Sequence, residues 1–369
     1  QGALAVHAIG YVGRINEDEM ETIDKSAYRG TQHIGKLGIE QSYEDTLLGE
    51  VGFKRIEIDA HGREGRVLER IAPVAGRHLH LNLDARMQAI AEQALGNFKG
   101  VAIAINPKTG ALLTFASTPT YDPNPFVNGI DPESYAALRD SKDKPLLNRA
   151  LNGQYAPGST IKSFLGLAAL DAGEGPDKQV VCPGWYSLPG SSHRFRCWKK
   201  AGHGTVDLHT AVVQSCDVYF YRLAVTLGIE RLNTYLAGHG FGSPTAVDIR
   251  GESKGALPQP DAKQRRGQPW QPGETVITGI GQGATLVTPL QLATAMSGIA
   301  NHGLRPQPRL VQSVEDPTSR VRTPLTPSPM QPSGTYTPEQ FDIMVRNLTD
   351  VVHGEGGTAR GIGWNAPYK

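Results

Sequence analysis

The stretch Tyr155-Ala156-Pro157-Gly158-Ser159-Thr160-Ile161-Lys162-Ser163-Phe164-Leu165-Gly166-Leu167-Ala168-Ala169-Leu170 decides how the rest of the chain is read. Pro157 and Gly158 punctuate the backbone, and Ser159 stands where a helix should begin. Phe164, Leu165, Ala168 and Leu170 give that helix an apolar side. Ser159 and Lys162, three residues apart, share one face of it. A hydroxyl is a poor nucleophile until a neighbour takes its proton, and a lysine can do so where burial and other cations lower its pKa. The backbone N–H groups at the start of such a helix can stabilise an oxyanion. A bare Ser-x-x-Lys is equally an ordinary capped core helix with a solvated lysine, so the chemistry needs support elsewhere in the chain.

A length of 369 residues allows two or three domains, and an apolar fraction of 39% is enough for a buried core. The formal charge of +1 gives no reason to expect nucleic acid or an anionic surface as partner. With 43 glycines and 26 prolines the chain should be rich in turns rather than a helical bundle. It contains no apolar run of about 18 residues, the length a membrane-spanning helix needs. It opens on Gln1-Gly2-Ala3-Leu4 without a signal peptide, which reads as a cut edge.

Residues 1–83 read as β-rich and loop-rich, with short apolar stretches such as Ala5-Val6-His7-Ala8-Ile9-Gly10-Tyr11-Val12 between Gly and charged turns. Arg66–Ile71 and His78–Leu83, separated by a turn at Pro73 to Gly76, are expected to form a hairpin. From Asp84, Met87, Ile90, Ala91, Ala94 and Leu95 recur at helical spacing. Val101–Ile105 and Ala111–Ala116 flank the turn Asn106-Pro107-Lys108-Thr109-Gly110 and should pair antiparallel. Residues 118–148 should drape over the surface, 173–210 are irregular, and helical patterns run from His209 to Leu236. The polar tract 251–275 reads as loop, Leu286–Ala300 as helix, 314–338 as exposed, and Pro338–Val352 as a last helix.

A second polar cluster is Gln214-Ser215-Cys216-Asp217-Val218-Tyr219-Phe220. Ser-x-Asp alone reads as a helix cap. Downstream of Ser-x-x-Lys it becomes specific, because the two motifs together belong to the set of serine β-lactamases and penicillin-binding proteins. Further stretches carry the same likeness: Gly35-Lys36-Leu37-Gly38-Ile39-Glu40, Leu47-Leu48-Gly49-Glu50-Val51-Gly52, Leu81-Asn82-Leu83-Asp84-Ala85-Arg86-Met87-Gln88 and Tyr121-Asp122-Pro123-Asn124-Pro125-Phe126. So do Asn106–Gly110, Pro183-Gly184-Trp185-Tyr186-Ser187-Leu188-Pro189-Gly190, Gly281-Gln282-Gly283 and Val287-Thr288-Pro289-Leu290-Gln291-Leu292. On these residues the sequence resembles the class B penicillin-binding proteins, and Asp217, where many relatives carry Asn, fits their elongation-specific branch.

The resemblance implies an α+β fold: a transpeptidase domain of the penicillin-binding and serine β-lactamase type over 84–369, with an antiparallel sheet flanked by helices and a helical lobe, and an N-terminal β-rich pedestal over 1–83. It implies that Ser159 attacks a D-alanyl-D-alanine carbonyl of a peptidoglycan stem peptide, and that Lys162 is the general base. Ser215 would pass a proton to the leaving amine, and Asp217 would orient Lys162 or the substrate. β-Lactams would acylate Ser159 in the same way. The implied partners are a membrane glycosyltransferase and elongation-complex proteins, with no nucleic acid. The implied location is the periplasmic face of the inner membrane, with an N-terminal transmembrane anchor absent from this chain.

The only Lys-Thr-Gly, Lys108-Thr109-Gly110, precedes the nucleophile, whereas the family's third motif follows the other two. Lys108 is therefore read as a hairpin residue. Ala366-Pro367-Tyr368-Lys369 resembles the run just before the third motif, so that motif, its strand and the C-terminal helix are expected to be missing and this chain to be weakly active or inactive. Two other readings compete. A serine β-lactamase would need a carboxylate to activate the deacylating water, and the nearest candidate, Glu230, follows Asp217 too closely. A β-lactam sensor or muropeptide-binding scaffold would bind without turnover.

The three cysteines form their own pattern. Cys182, Cys197, His203 and Cys216 fall within 35 residues, and a Cys₃His set suits tetrahedral structural zinc. The Gly-rich stretch between them has little apolar periodicity, so a metal would supply order. Elongation-specific members resemble this arrangement, with Asp at some of the cysteine positions. The competing readings are a Cys182–Cys197 disulfide with Cys216 buried, or three unlinked side chains. His193, before Cys197 in an Arg-rich turn, is the second choice to His203. Because Cys216 lies between Ser215 and Asp217, a metal there would also fix the second motif.

Overall fold

The computed structural model describes residues 2–363, so Ala366–Lys369, the run likened to the approach to the third motif, lies outside the described residues. The N-terminal region is mixed rather than β-rich. Val6–Ile9, expected as part of an extended stretch, is a helical turn, and Gly10 at φ 80 ends it. A Cβ at Gly10 would run into the Leu37 carbonyl, so only glycine fits that crossing. Short helices at Glu17–Thr22, Gly38–Ser42 and Glu44–Leu47 alternate with the paired strands Val12–Arg14 and His33–Gly35. The first of these starts at a capping box, with Glu19 N–H donating to Asn16 Oδ1 at 2.8 Å and Asn16 N–H donating to Glu19 Oε2 at 2.9 Å.

The hairpin expected between 66–71 and 78–83 does not form. Strand β1 (Phe53–Ile58) pairs instead with β2 (Glu64–Ile71), and β3 (His78–Leu81) crosses to a strand far along the chain. The Asp59 side chain closes the β1–β2 turn by accepting from the His61 and Arg63 amides at 2.8 and 3.0 Å, and Gly62 takes φ 76. The Pro73–Gly76 segment is spent otherwise: Val74 bridges Glu50, and Gly76 packs on the Leu47 carbonyl.

Helix α1 (Ala85–Leu95) is capped by Asp84, which accepts from the Arg86 and Met87 amides. Its inward residue is Gln88, which exchanges two hydrogen bonds with the Phe115 backbone, while Met87 and Ile90 are 40% and 64% exposed. Strands β4 (Gly100–Ile105) and β5 (Leu112–Thr118) pair antiparallel as expected, around a turn that leaves Lys108 exposed. Helix α2 (Lys162–Asp171) follows, then the small pair β6 (Val180–Cys182) and β7 (Gly204–Val206). The helical pattern from 209 to 236 is two helices, α3 (Leu208–Val213) and α4 (Asp217–Gly238), the second kinked at Gly228. The tract 251–275, expected as loop, carries short helices at Pro260–Arg265 and Pro272–Thr278. Helix α5 (Pro289–Ala300) and helix α6 (Pro338–His353) each begin at a capping box with Pro at the first turn. Between them, β8 (Val311–Glu315) pairs with β3 on one side and with β9 (Arg322–Pro324) on the other.

Two cores result. One packs α2, α3, α4 and α6 through Phe164, Leu165, Phe220, Leu232, Leu236 and Met344. The other gathers Leu112 and Phe115 of β5, Leu290, Leu310 and Val311, together with Ala8 and Ile39 from the N-terminal region. Among the described residues, no helix is long and apolar enough to cross a membrane.

Candidate active site

Ser159 lies in a single 3₁₀ turn, Gly158–Ile161, and the α-helix proper begins only at Lys162, whose N–H donates to the Ser159 carbonyl. Three residues per turn eclipses positions i and i+3, so Ser159 and Lys162 align more closely than on an α-helix. Ser159 is exposed and Lys162 is 3% exposed, so the serine faces solvent while the lysine is buried. The turn is braced from outside. Gly158 N–H donates to the Gly281 carbonyl at 3.0 Å, and Tyr155 and Val287 exchange two backbone bonds of 2.9 Å. A Cβ at Gly281 would strike the Gly158 carbonyl, which accounts for glycine at that point of Gly281-Gln282-Gly283.

The Lys162 ammonium donates to the Ser215 carbonyl at 2.9 Å, to Ser215 Oγ at 3.1 Å and to Asp217 Oδ1 at 2.6 Å. Its three protons thus meet three acceptors, and the Phe220 ring lies 5.5 Å away. The side chains of Lys162 and Asp217 are only 3% and 11% exposed, so each is the other's compensating charge. The structure therefore brings together Lys162, Ser215 and Asp217 through direct bonds, and puts Ser159 one 3₁₀ turn before Lys162.

Ser215 occupies the left-handed region at φ 52, in the break between α3 and α4. A non-glycine residue held there is strained, and its surroundings must hold it. Trp198 does so. Its indole N–H reaches the Gln214 and Ser215 carbonyls at 3.0 and 3.1 Å, and its backbone N–H donates to Asp217 Oδ2 at 2.9 Å. Sequence reasoning missed Trp198. The available signal was its position directly after Cys197 in a loop already suspected of reaching Cys216.

Cys182, Cys197, His203 and Cys216 do converge: their Sγ and ring nitrogen atoms all lie within 4.8 Å of one another. The pairing of β6 with β7 sets Cys182 opposite Gly204, next to His203. His203 Nδ1 is 3.6 Å from Cys182 Sγ and 3.5 Å from Cys197 Sγ. A tetrahedral centre with Zn–S of about 2.3 Å and Zn–N of about 2.0 Å has an N···S edge of about 3.5 Å, so the donor set has the size and chemistry for that ion. All three cysteines are free and buried, not joined as the Cys182–Cys197 disulfide. The neighbouring Cys216 pulls the Cys197 thiol down to about 5, and the same contact together with burial pushes Cys216 up. His193 is exposed and packs on Phe195 instead, outside the cluster.

Lys108 sits exposed on the β4–β5 turn, where Gly110 packs against the Gln307 carbonyl. Glu230 is exposed on α4 beyond the Gly228 kink, as its reading against a deacylating carboxylate required.

The family model described as penicillin binding protein transpeptidase domain matches residues 100–369, and that of the penicillin-binding protein dimerisation domain matches residues 1–81. The peptidoglycan D,D-transpeptidase MrdA of Acinetobacter baumannii is 43% identical over 363 residues, covering 98% of this chain and 53% of that protein. The protein of the same name from Escherichia coli is 36% identical over 374 residues, covering 100% of this chain and 59% of that protein. Pseudomonas aeruginosa PBP2, solved in complex with WCK 5153, superposes with a TM-score of 0.88 at 42% identity, over 100% of this chain and 76% of that one. Helicobacter pylori PBP2, solved in complex with MreC, gives a TM-score of 0.87 at 32% identity, over 99% of this chain and 66% of that one. The chain spans a little over half the length of these curated relatives.

Proposed function

Because the chain belongs to the penicillin-binding protein transpeptidase family, we propose that it is the catalytic part of a peptidoglycan D,D-transpeptidase that cross-links stem peptides during cell elongation and is a target of β-lactams. The observation that carries this reading is the buried Lys162, bonded to Ser215 and Asp217 and one turn on from an exposed Ser159. Ser159 Oγ attacks the carbonyl of a D-alanyl-D-alanine peptide. The new ester bond forms as the amide bond to the terminal D-alanine breaks. Lys162, acting as the free amine, takes the hydroxyl proton, and Asp217 is placed to stabilise the ammonium that forms. Ser215 Oγ, 3.1 Å from Lys162 Nζ, is placed to hand that proton to the departing amine. The N–H of Ser159, at the start of the 3₁₀ turn, would serve as a donor to the developing oxyanion, since the Gly158 N–H is already taken by the Gly281 carbonyl. An amine of a neighbouring stem peptide then displaces Ser159 and forms the cross-link.

The cysteine cluster fits a structural role in the same account. Cys182, Cys197, His203 and Cys216 would hold a zinc ion, which would tie the irregular loop to the second motif. A β-lactamase reading is less favoured because Glu230 is remote from the cluster along an exposed helix face. The same reading places the protein at the periplasmic face of the inner membrane beside a membrane glycosyltransferase and elongation-complex proteins; among solved relatives, one is a complex of PBP2 with MreC and another a peptidoglycan synthase complex. The test is turnover by the full-length protein. Cross-linked product from paired stem peptides, with a penicilloyl adduct lasting hours, supports the transpeptidase. Loss of the adduct within minutes would point to a β-lactamase, and a stable adduct without cross-linking to a sensor.

A further inference from the structure

The loop that carries the cysteines also carries charge. Between Lys178 and Asp207 the chain has Arg194, Arg196, Lys199 and Lys200 and no Asp or Glu, although the whole sequence is nearly balanced at +1. All four basic residues are exposed, and none has an ion pair or a side-chain hydrogen bond among the described residues. Charges elsewhere on the surface are interleaved with their opposites. On the β1–β2 hairpin, for example, Lys54 meets Glu64 and Arg55 meets Glu69.

The fold holds these cations outward and beside the catalytic motif. Phe195–Arg196 pairs antiparallel with Trp185–Tyr186, so Arg196 lies opposite Trp185 and Phe195 opposite Tyr186. Tyr186 and Phe195 pack on Tyr221 of α4, with ring centroids 6.3 and 5.8 Å from it. Side chains alternate along a strand, so Arg196 and Trp185 take the face turned away from α4. Arg194 joins them there, its guanidinium 4.3 Å over the Trp185 ring, a stack that steadies the cation and leaves its N–H edge open. The Tyr221 hydroxyl donates to the Arg196 carbonyl at 3.1 Å and secures the strand. Two residues on, Trp198 donates to Asp217 and to the Ser215 carbonyl. Lys199 and Lys200 follow in a turn closed by the Gly202 N–H, which donates to the Lys199 carbonyl at 2.9 Å. The run of cations is thus tied by hydrogen bonds to the second motif of the acyl-transfer site.

We propose that the segment from Arg194 to Lys200 is a docking face for an acidic peptide. It holds free carboxylates of the stem peptide while the D-alanyl-D-alanine end of that peptide reaches Ser159. This rests on the transpeptidase function proposed for the same site. A guanidinium matches a carboxylate through paired N–H groups, and Arg194 and Arg196 present two guanidinium groups on one face. Trp198, 58% exposed, offers apolar surface to the uncharged part of such a ligand. A nearly neutral chain has little long-range pull on an extended anionic surface, so the attraction is confined to a ligand on the scale of the loop.

The probe is a synthetic stem peptide with free carboxylates, titrated into the full-length protein beside the same peptide amidated at every carboxylate outside its D-alanyl-D-alanine end. The acidic form should bind about five- to twentyfold more tightly, a modest ratio because exposed charge pairs are individually weak. That preference should shrink as salt rises from about 0.05 to about 0.5 M. Combining Arg194→Gln, Arg196→Gln, Lys199→Gln and Lys200→Gln should erase it at unchanged Tm, since these side chains leave no partner stranded. Lys199→Gln with Lys200→Gln, outside the paired strands, should reduce it several-fold and provides the comparison if the fourfold variant does not fold. Arg66→Gln with Arg70→Gln, which removes two exposed cations from β2, should leave it intact. A parent without the preference, a preference that survives the fourfold variant, or an equal loss in the β2 control would overturn the proposal. So would binding to phosphatidylglycerol vesicles in place of the peptide, which would make the face a membrane surface. Failure of the transpeptidase function would show separately, as a parent that keeps the charge preference but forms no cross-link.

Discussion

The serine turn and the cysteine loop reach the same few atoms from opposite sides, and they are built in different ways. The turn is local. Ser159 and Lys162 are aligned by 3₁₀ geometry over four residues, and the outside bracing from Gly281 and Val287 only holds that turn in place. The loop is non-local. Cys182 comes from a strand, Cys197 and His203 from irregular chain and Cys216 from a helix cap, and Trp198 ties the loop to Gln214, Ser215 and Asp217 through three hydrogen bonds. The difference teaches that half of this site is fixed by the chain's own helical repeat. The other half depends on a loop with little apolar core of its own, and Ser215 at φ 52 is where the two halves meet.

The largest effect is expected at Lys162, where the serine turn meets the second motif. Lys162→Ala removes the proposed base, which should slow penicillin acylation of the full-length protein about 10²- to 10⁴-fold. It also leaves Asp217 buried and unpaired, at a cost of about 3–5 kcal/mol visible in denaturant unfolding. An acylation rate within tenfold of the parent would remove Lys162 from the mechanism.

Next in size is the metal expected in the loop. Protein purified without added metal should carry about one zinc per chain by elemental analysis. A chelator should lower Tm, and Cys216→Ser should both lose the zinc and slow acylation at Ser159. Full acylation by metal-free protein would show that the loop is a passenger and that the turn suffices.

Trp198→Phe sharpens the comparison further, since it keeps the ring and removes only the indole N–H that holds Gln214 and Ser215. A loss of about 1–2 kcal/mol from these bonds corresponds to a factor of roughly 5–30 in the population of the competent geometry. The zinc content should not change, which separates the positioning of Ser215 from assembly of the cluster. The smallest effect is expected from Lys108→Ala, where acylation should stay within a few-fold, because Lys108 is exposed on the β4–β5 turn. A loss comparable to that of Lys162→Ala would mean that the catalytic Lys had been misassigned.

How much was legible in the sequence follows the same division. Ser159, Lys162, Ser215 and Asp217 could be named because each motif is short and its geometry is set by a helix start or a helix break. The cysteine spacing suggested convergence but could not say through which contacts, and Trp198 emerged only once the loop was folded back on α4. The hairpin drawn from 66–71 to 78–83 failed for the reason that non-local pairing usually defeats pattern reading. His80 of β3 meets Glu315 of β8 at 2.7 Å, across 235 residues of sequence. The helix at Val6–Ile9 was mistaken for extended chain because its apolar run is too short to show a period.

The central claim is that Ser159 is the nucleophile of an acyl-transfer site assembled from both regions. Peptide mapping of the full-length protein after brief exposure to a penicillin tests it most directly. A single acyl adduct is expected on the peptide that contains Ser159 and Lys162, absent from Ser159→Ala protein of unchanged thermal stability. An adduct on any other residue, or labelling that persists in that variant, would contradict it.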